Sequence, residues 1–172
     1  MDTKIIEWMD EIKQRILSGE EVGGVTDLYK SLGACVGENI VIDAINGKAA
    51  NGEGYDAISG DNPHIPADKT VETKAAMLSS GNNYIGIYNI QTKRGKCNYF
   101  GAVDMNTRRV SLIPHDVMFS YLDKGGPRGG TLKNFKWSMH YNQTKPNGKK
   151  CRSRIEATKL FLEYEVKNER IN

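Results

Sequence analysis

Several things are scarce in this chain, and each scarcity removes a class of protein. There are three cysteines in 172 residues, Cys35, Cys97 and Cys151, far apart and with no CxxC pair. That argues against a disulfide framework and a zinc knuckle and leads to the expectation of a reducing, cytoplasmic setting. No run of about 18 apolar residues occurs, so no membrane partner is expected. The start, Met1-Asp2-Thr3-Lys4-Ile5-Ile6-Glu7, carries acids where a signal peptide needs a basic opening, and is expected to be mature protein. His64, His115 and His140 have none of the spacings of a zinc site. The glycines between Gly125 and Gly130 lack the Gly-Lys-Ser/Thr ending of a phosphate-binding loop.

Acidic residues are missing from one long stretch. Lys124 to Ile155 has no Asp or Glu but holds Lys124, Arg128, Lys133, Lys136, Lys145, Lys149, Lys150, Arg152 and Arg154. The remainder carries 15 basic against 21 acidic residues, so the net charge of +3 hides a basic segment joined to an acidic body. Such an asymmetry suits a protein that binds a phosphate backbone, because each Lys or Arg laid on the duplex releases condensed counterions.

What is present is ordinary for a folded chain: 38% hydrophobic and 26% charged residues, with a length that points to one domain over 1–172. Ile5, Ile6, Met9, Ile12, Ile16 and Leu17 recur at helical spacing. A second helix is expected from a Thr26 cap through Leu28, Leu32, Val36, Ile40, Val41, Ala44 and Ile45 to Asn46-Gly47, with Gly33 and Gly37 marking a break or a close approach. From Gly54 onward the pattern becomes strand-like, at Tyr55–Ile58, Thr70–Ala75, Tyr84–Ile90, Tyr99–Val103 and Arg109–Ile113. Pro114 closes the last, and His115 to Leu122 reads as a short helix. Phe135, Trp137, Met139 and Tyr141 alternate as the inward side of a late strand would. Ser153-Arg154-Ile155-Glu156 has the form of a capping box, opening a last helix with Ile155, Leu162 and Val166 on one side. The expected architecture is α/β, a central mixed β-sheet flanked by α-helices.

Asp56 lies in one short strand, and Glu72 and Lys74 lie two apart in the next. A spacing of two puts both side chains on one face of a strand, and an adjacent antiparallel strand brings Asp56 to the same face. Hydrolysing a phosphodiester needs charge neutralised on the phosphate and a water made nucleophilic. Carboxylates holding Mg²⁺ serve both ends. Acids and a lysine among apolar neighbours such as Val71 and Ala75-Ala76-Met77 are costly unless they bind something; ordinary surface salt bridges are the plainer alternative.

Asp56 followed by Glu72-Thr73-Lys74 after a polar hairpin resembles the signature of the PD-(D/E)XK nucleases, which include many restriction endonucleases. Gly37-Glu38 in a helix, followed by Gly54-Tyr55-Asp56, is similar to the order found at the start of that superfamily's core. The resemblance spans roughly residues 28 to 118. The proline of the motif is absent, and Tyr55 stands in its place. The resemblance implies a restriction-endonuclease-like fold, with Asp56 and Glu72 coordinating Mg²⁺ and Glu38 supporting the ion directly or through water. Lys74 would orient the attacking water and stabilise the phosphorane.

The basic segment interleaves charges with amides and aromatics, and Arg128, Lys133, Lys136, Asn142, Gln143, Lys145, Lys149, Lys150 and Arg152 are the candidate DNA contacts. The expected activity is Mg²⁺-dependent hydrolysis of double-stranded DNA, most simply by a type II restriction endonuclease acting as a homodimer, since two strands need two sites. A homing or structure-specific repair nuclease of the same fold, or a DNA-binding protein without chemistry, are the alternatives.

Overall fold

The structure, a computed structural model, describes residues 3–77, 85–87, 90–124, 130–132, 135–137 and 152–166. Two helices open the chain. α1 (Thr3–Leu17) buries Met9 and Ile12, and α2 (Val25–Ala44) buries Val36, Ile40 and Val41. Its N-cap is Gly24, without a side-chain cap, so the expected Thr26 cap falls inside the helix. Leu28, expected on the apolar side, is exposed. Then come β1 (Lys48–Gly52), β2 (Tyr55–Ile58), β3 (Thr70–Ala76), β4 (Ile85–Ile87), a 3₁₀ turn (Ile90–Lys93), β5 (Tyr99–Asp104), β6 (Arg109–Pro114) and α3 (His115–Asp123). The chain continues through β7 (Phe135–Trp137), α4 (Arg152–Glu163) and β8 (Glu165–Val166).

Of the expected strand at 84–90, Ile85–Ile87 form β4 and Ile90 opens the 3₁₀ turn, and the rest lies outside the described residues. Ser153 stands inside α4, which begins at Arg152. The buried side of α4 is Ala157, Thr158 and Phe161; Leu162 is exposed and Val166 belongs to β8. Of the candidate DNA contacts, Arg128, Lys133, Asn142, Gln143, Lys145, Lys149 and Lys150 lie outside the described residues. Lys136 sits in β7 opposite Gly86, and Arg152 begins α4.

Six strands form one mixed sheet in the order β1-β2-β3-β5-β6-β8, and β4 pairs with β7 in a second. Among the described residues only the central β3–β5 pair is parallel; its neighbours are antiparallel. Helices cover both faces, as expected. On one side α2 packs against Val71, Val103, Val110 and Leu112. On the other, Ala76, Phe100, Ala102 and Ile113 meet α3, α4 and the aromatic pair Phe135 and Trp137. Alternation along β3 places Glu72 and Lys74 on the second side with Ala76, while Val71 and Ala75 face α2.

Gly37 sets how close α2 comes to β3. A Cβ there would stand 2.5 Å from the Ala75 Cβ, so only glycine permits this approach. The expected weak point in the helix is thus a contact point, and it holds Glu38 beside the strand that carries Lys74.

Candidate active site

The site sits where the sheet opens. Paired positions of β2 and β3 end at Ala57–Val71, and one step further, where Asp56 would face Glu72, the strands part. The Thr73 N–H donates to Asp56 Oδ2 at 2.7 Å instead of to a strand neighbour. β3 keeps its rigidity through six consecutive pairs with β5, from Val71–Tyr99 to Ala76–Asp104. Glu72 and Lys74 therefore project from a strand clamped on one side and open on the other.

Glu72 is 1% exposed. Its Oε1 accepts from the Lys74 Nζ and stands 3.0 Å from the Nζ of Lys93. Its Oε2 is buried and has no hydrogen-bond partner among the described residues. Burial is the largest influence on the Asp56 carboxyl and holds it above the usual carboxylate range; the Glu72 charge adds to this, while the Thr73 N–H and the two ammoniums oppose it. Glu38 reaches the same field from α2. Burial first, then the Asp56 charge, raises its carboxyl, with Glu72 adding and Lys74 opposing. The structure brings the four expected residues into one electrostatic cluster.

Two members of the cluster were not expected from the sequence. Lys93 comes from the 3₁₀ turn, and its ammonium is held above the ordinary lysine range chiefly by the hydrogen bond to Glu72. Cys97 lies buried alongside, where burial, then the Glu72 charge, pushes its thiol up to about 11. Nothing local singles out Lys93, which stands in the basic run Lys93-Arg94-Gly95-Lys96.

No family model and no curated protein matches this chain. Among solved structures, a bacterial homing endonuclease, I-Ssp6803I, aligns with a TM-score of 0.49 and 15% identity over 78% of this chain and 85% of that one. A likeness at that level carries no argument about chemistry, which has to come from the side chains.

Those side chains suit a hard divalent cation bound sparingly. Among the described residues, no three or more Asp, Glu, His or Cys side chains come close enough together to cage an ion. Mg²⁺ seldom uses such a cage; it keeps several waters and takes one or two carboxylates plus phosphate oxygens from its substrate. The bare, buried Oε2 of Glu72 beside Asp56 fits that habit, since an unsatisfied buried carboxylate oxygen costs free energy until something occupies it. Among the described residues, no helix is long and apolar enough to cross a membrane.

Proposed function

We propose that the protein is a Mg²⁺-dependent endodeoxyribonuclease of the PD-(D/E)XK type that hydrolyses phosphodiester bonds in double-stranded DNA. The observation that carries this reading is Glu72: a carboxylate sealed in the sheet, with one oxygen on lysine and the other unpartnered among the described residues, beside Asp56 at the parting of two strands. Asp56 and Glu72 would hold the ion, with Glu38 adding negative charge behind them. Bound there, Mg²⁺ would neutralise phosphate charge and make a water more acidic. Lys74, on the same face as Glu72 and partly open to solvent, orients the attacking water and meets the charge that develops on the phosphate. Arg128, Lys133, Lys136, Asn142, Gln143, Lys145, Lys149, Lys150 and Arg152 contact the duplex, the cations on phosphates and the amides on base edges.

A type II restriction endonuclease is the reading adopted for biological role, working as a homodimer so that each strand meets its own site. The test is supercoiled plasmid incubated with Mg²⁺. The parent is expected to give discrete linear fragments with little accumulation of nicked circle. Asp56→Ala and Lys74→Ala should each leave the plasmid intact. Cutting by either variant at the parental rate refutes the site. A folded parent that binds duplex but cuts in no divalent metal is a DNA-binding protein without chemistry.

A further inference from the structure

The nuclease motif supplies one lysine, and the structure holds a second that no part of the motif assigns. We propose that Lys93 is a catalytic residue that binds the scissile phosphate of the DNA. The inference rests on the nuclease reading and deepens it.

Charge is the first ground. Glu38, Asp56 and Glu72 bring three negative charges to the site, and Lys74 alone would return one. With a divalent cation added, such a site is neutral and offers nothing extra to an incoming phosphodiester. Lys93 leaves the loaded site with one positive charge, which the phosphodiester then balances. As the attacking water gives up a proton to solvent and its oxygen bonds to phosphorus, the phosphorane gains a further negative charge, and an ammonium already in place stabilises that change without reorganising. The bond to the leaving oxygen then breaks, and that oxygen keeps the electron pair and takes a proton from solvent.

Position is the second ground. A lysine needed only to neutralise Glu72 has no reason to be held rigidly, yet the segment carrying Lys93 is anchored along its length. Ile90 and Cys97 are buried in the core on either side of it. The Lys96 N–H donates to the Lys93 carbonyl at 3.1 Å, and the Gly95 N–H donates to His115 Nε2 at 2.8 Å. Arg94 lies over the Phe119 ring at 4.1 Å and donates to Asp123 at 2.7 Å. The Lys93 side chain is itself 29% exposed, so it is anchored at its backbone and still partly open to solvent. Once Glu72 gives its oxygens to a cation, that ammonium loses part of its partner and turns to the next anion, the phosphate.

The experiment compares the parent, Lys93→Met and Lys93→Arg, each first checked for folding by circular dichroism. Methionine keeps the buried stem and removes the charge; arginine keeps the charge. Single-turnover cutting at saturating Mg²⁺ is expected to fall by about 100-fold in Lys93→Met, the scale for losing one preorganised electrostatic contact, with partial recovery in Lys93→Arg. Calorimetric titration of the DNA-free proteins with Mg²⁺ is expected to show Lys93→Met binding the ion as tightly as the parent or more tightly, because a competitor for Glu72 has gone. Parental cutting by Lys93→Met overturns the inference. So does a loss of Mg²⁺ binding in step with the loss of cutting, which would make Lys93 a prop for Glu72 only. A parent that cuts in no metal brings down the nuclease reading itself, whereas a cutting parent with an equally active Lys93→Met brings down this inference alone.

Discussion

A carboxylate with one oxygen on two ammoniums and the other bare holds together only while every partner stays in place, and Glu72 is such a group. Removing its charge leaves the Lys74 and Lys93 ammoniums sharing one neutral oxygen. Both lysines reach solvent, at 26% and 29% exposure, so water offsets part of the repulsion. Glu72→Gln is therefore expected to lower stability by about 1–2 kcal/mol in EDTA, below the full penalty for breaking a sealed ion pair. Urea unfolding measures it, and an unmoved midpoint would mean that the ion pairs contribute nothing to the metal-free protein. At this scale much was legible beforehand. Asp56, Glu72 and Lys74 stood out because the period of two along a strand places charged groups on one face among apolar neighbours. Lys93 did not, because it enters from a turn distant in sequence and carries no periodic mark. Nor did Cys97, whose neighbours are polar and basic in the sequence and become apolar only in the fold.

Two glycines in α2 separate what helix propensity says from what packing decides. Propensity alone makes alanine better than glycine in a helix by about 1 kcal/mol. At Gly33 a new Cβ would meet the Sδ and Cε of Met77, the far end of a flexible side chain that can move aside. At Gly37 it would meet the Ala75 Cβ, which is fixed to β3 and cannot. Gly33→Ala is thus expected to be neutral to mildly stabilising. Gly37→Ala should destabilise by about 1–2 kcal/mol net, overpacking outweighing propensity, and should slow cutting because it pushes Glu38 away from the site. Thermal unfolding of the two variants checks the contrast, and equal shifts in the same direction would contradict it. The helices and main strands were readable from their apolar periods. The caps were not: Gly24 replaces the expected Thr26 and Ser153 falls within α4, since boundary residues respond to the neighbouring chain more than to their own type.

Across the whole molecule, the two faces of the sheet divide the work. α1 and α2 form one core with Val71, Val103 and Leu112, and α2 delivers Glu38. The opposite face carries Glu72 and Lys74 together with α3, β7 and α4, the elements between which the acid-free stretch from Lys124 to Ile155 runs. The basic stretch thus joins elements on the side where phosphate chemistry is proposed. If Lys149 and Lys150 each neutralise one phosphate, the double variant Lys149→Ala/Lys150→Ala should reduce the steepness of log K against log salt by about 1.8. Fluorescence anisotropy in Ca²⁺ at several salt concentrations measures this, and an unchanged slope would remove both residues from the interface. By itself the sequence determined the class of architecture, the charge asymmetry and the placing of three charged candidates on one face of two strands, because hydrophobic period, composition and spacing are local properties. Only the tertiary structure decided where β2 parts from β3, how near Gly37 lets α2 come, and that Lys93 shares an oxygen with Lys74. Those depend on which distant segments pack together, and the close approach of charges on separate elements is a property of that packing alone.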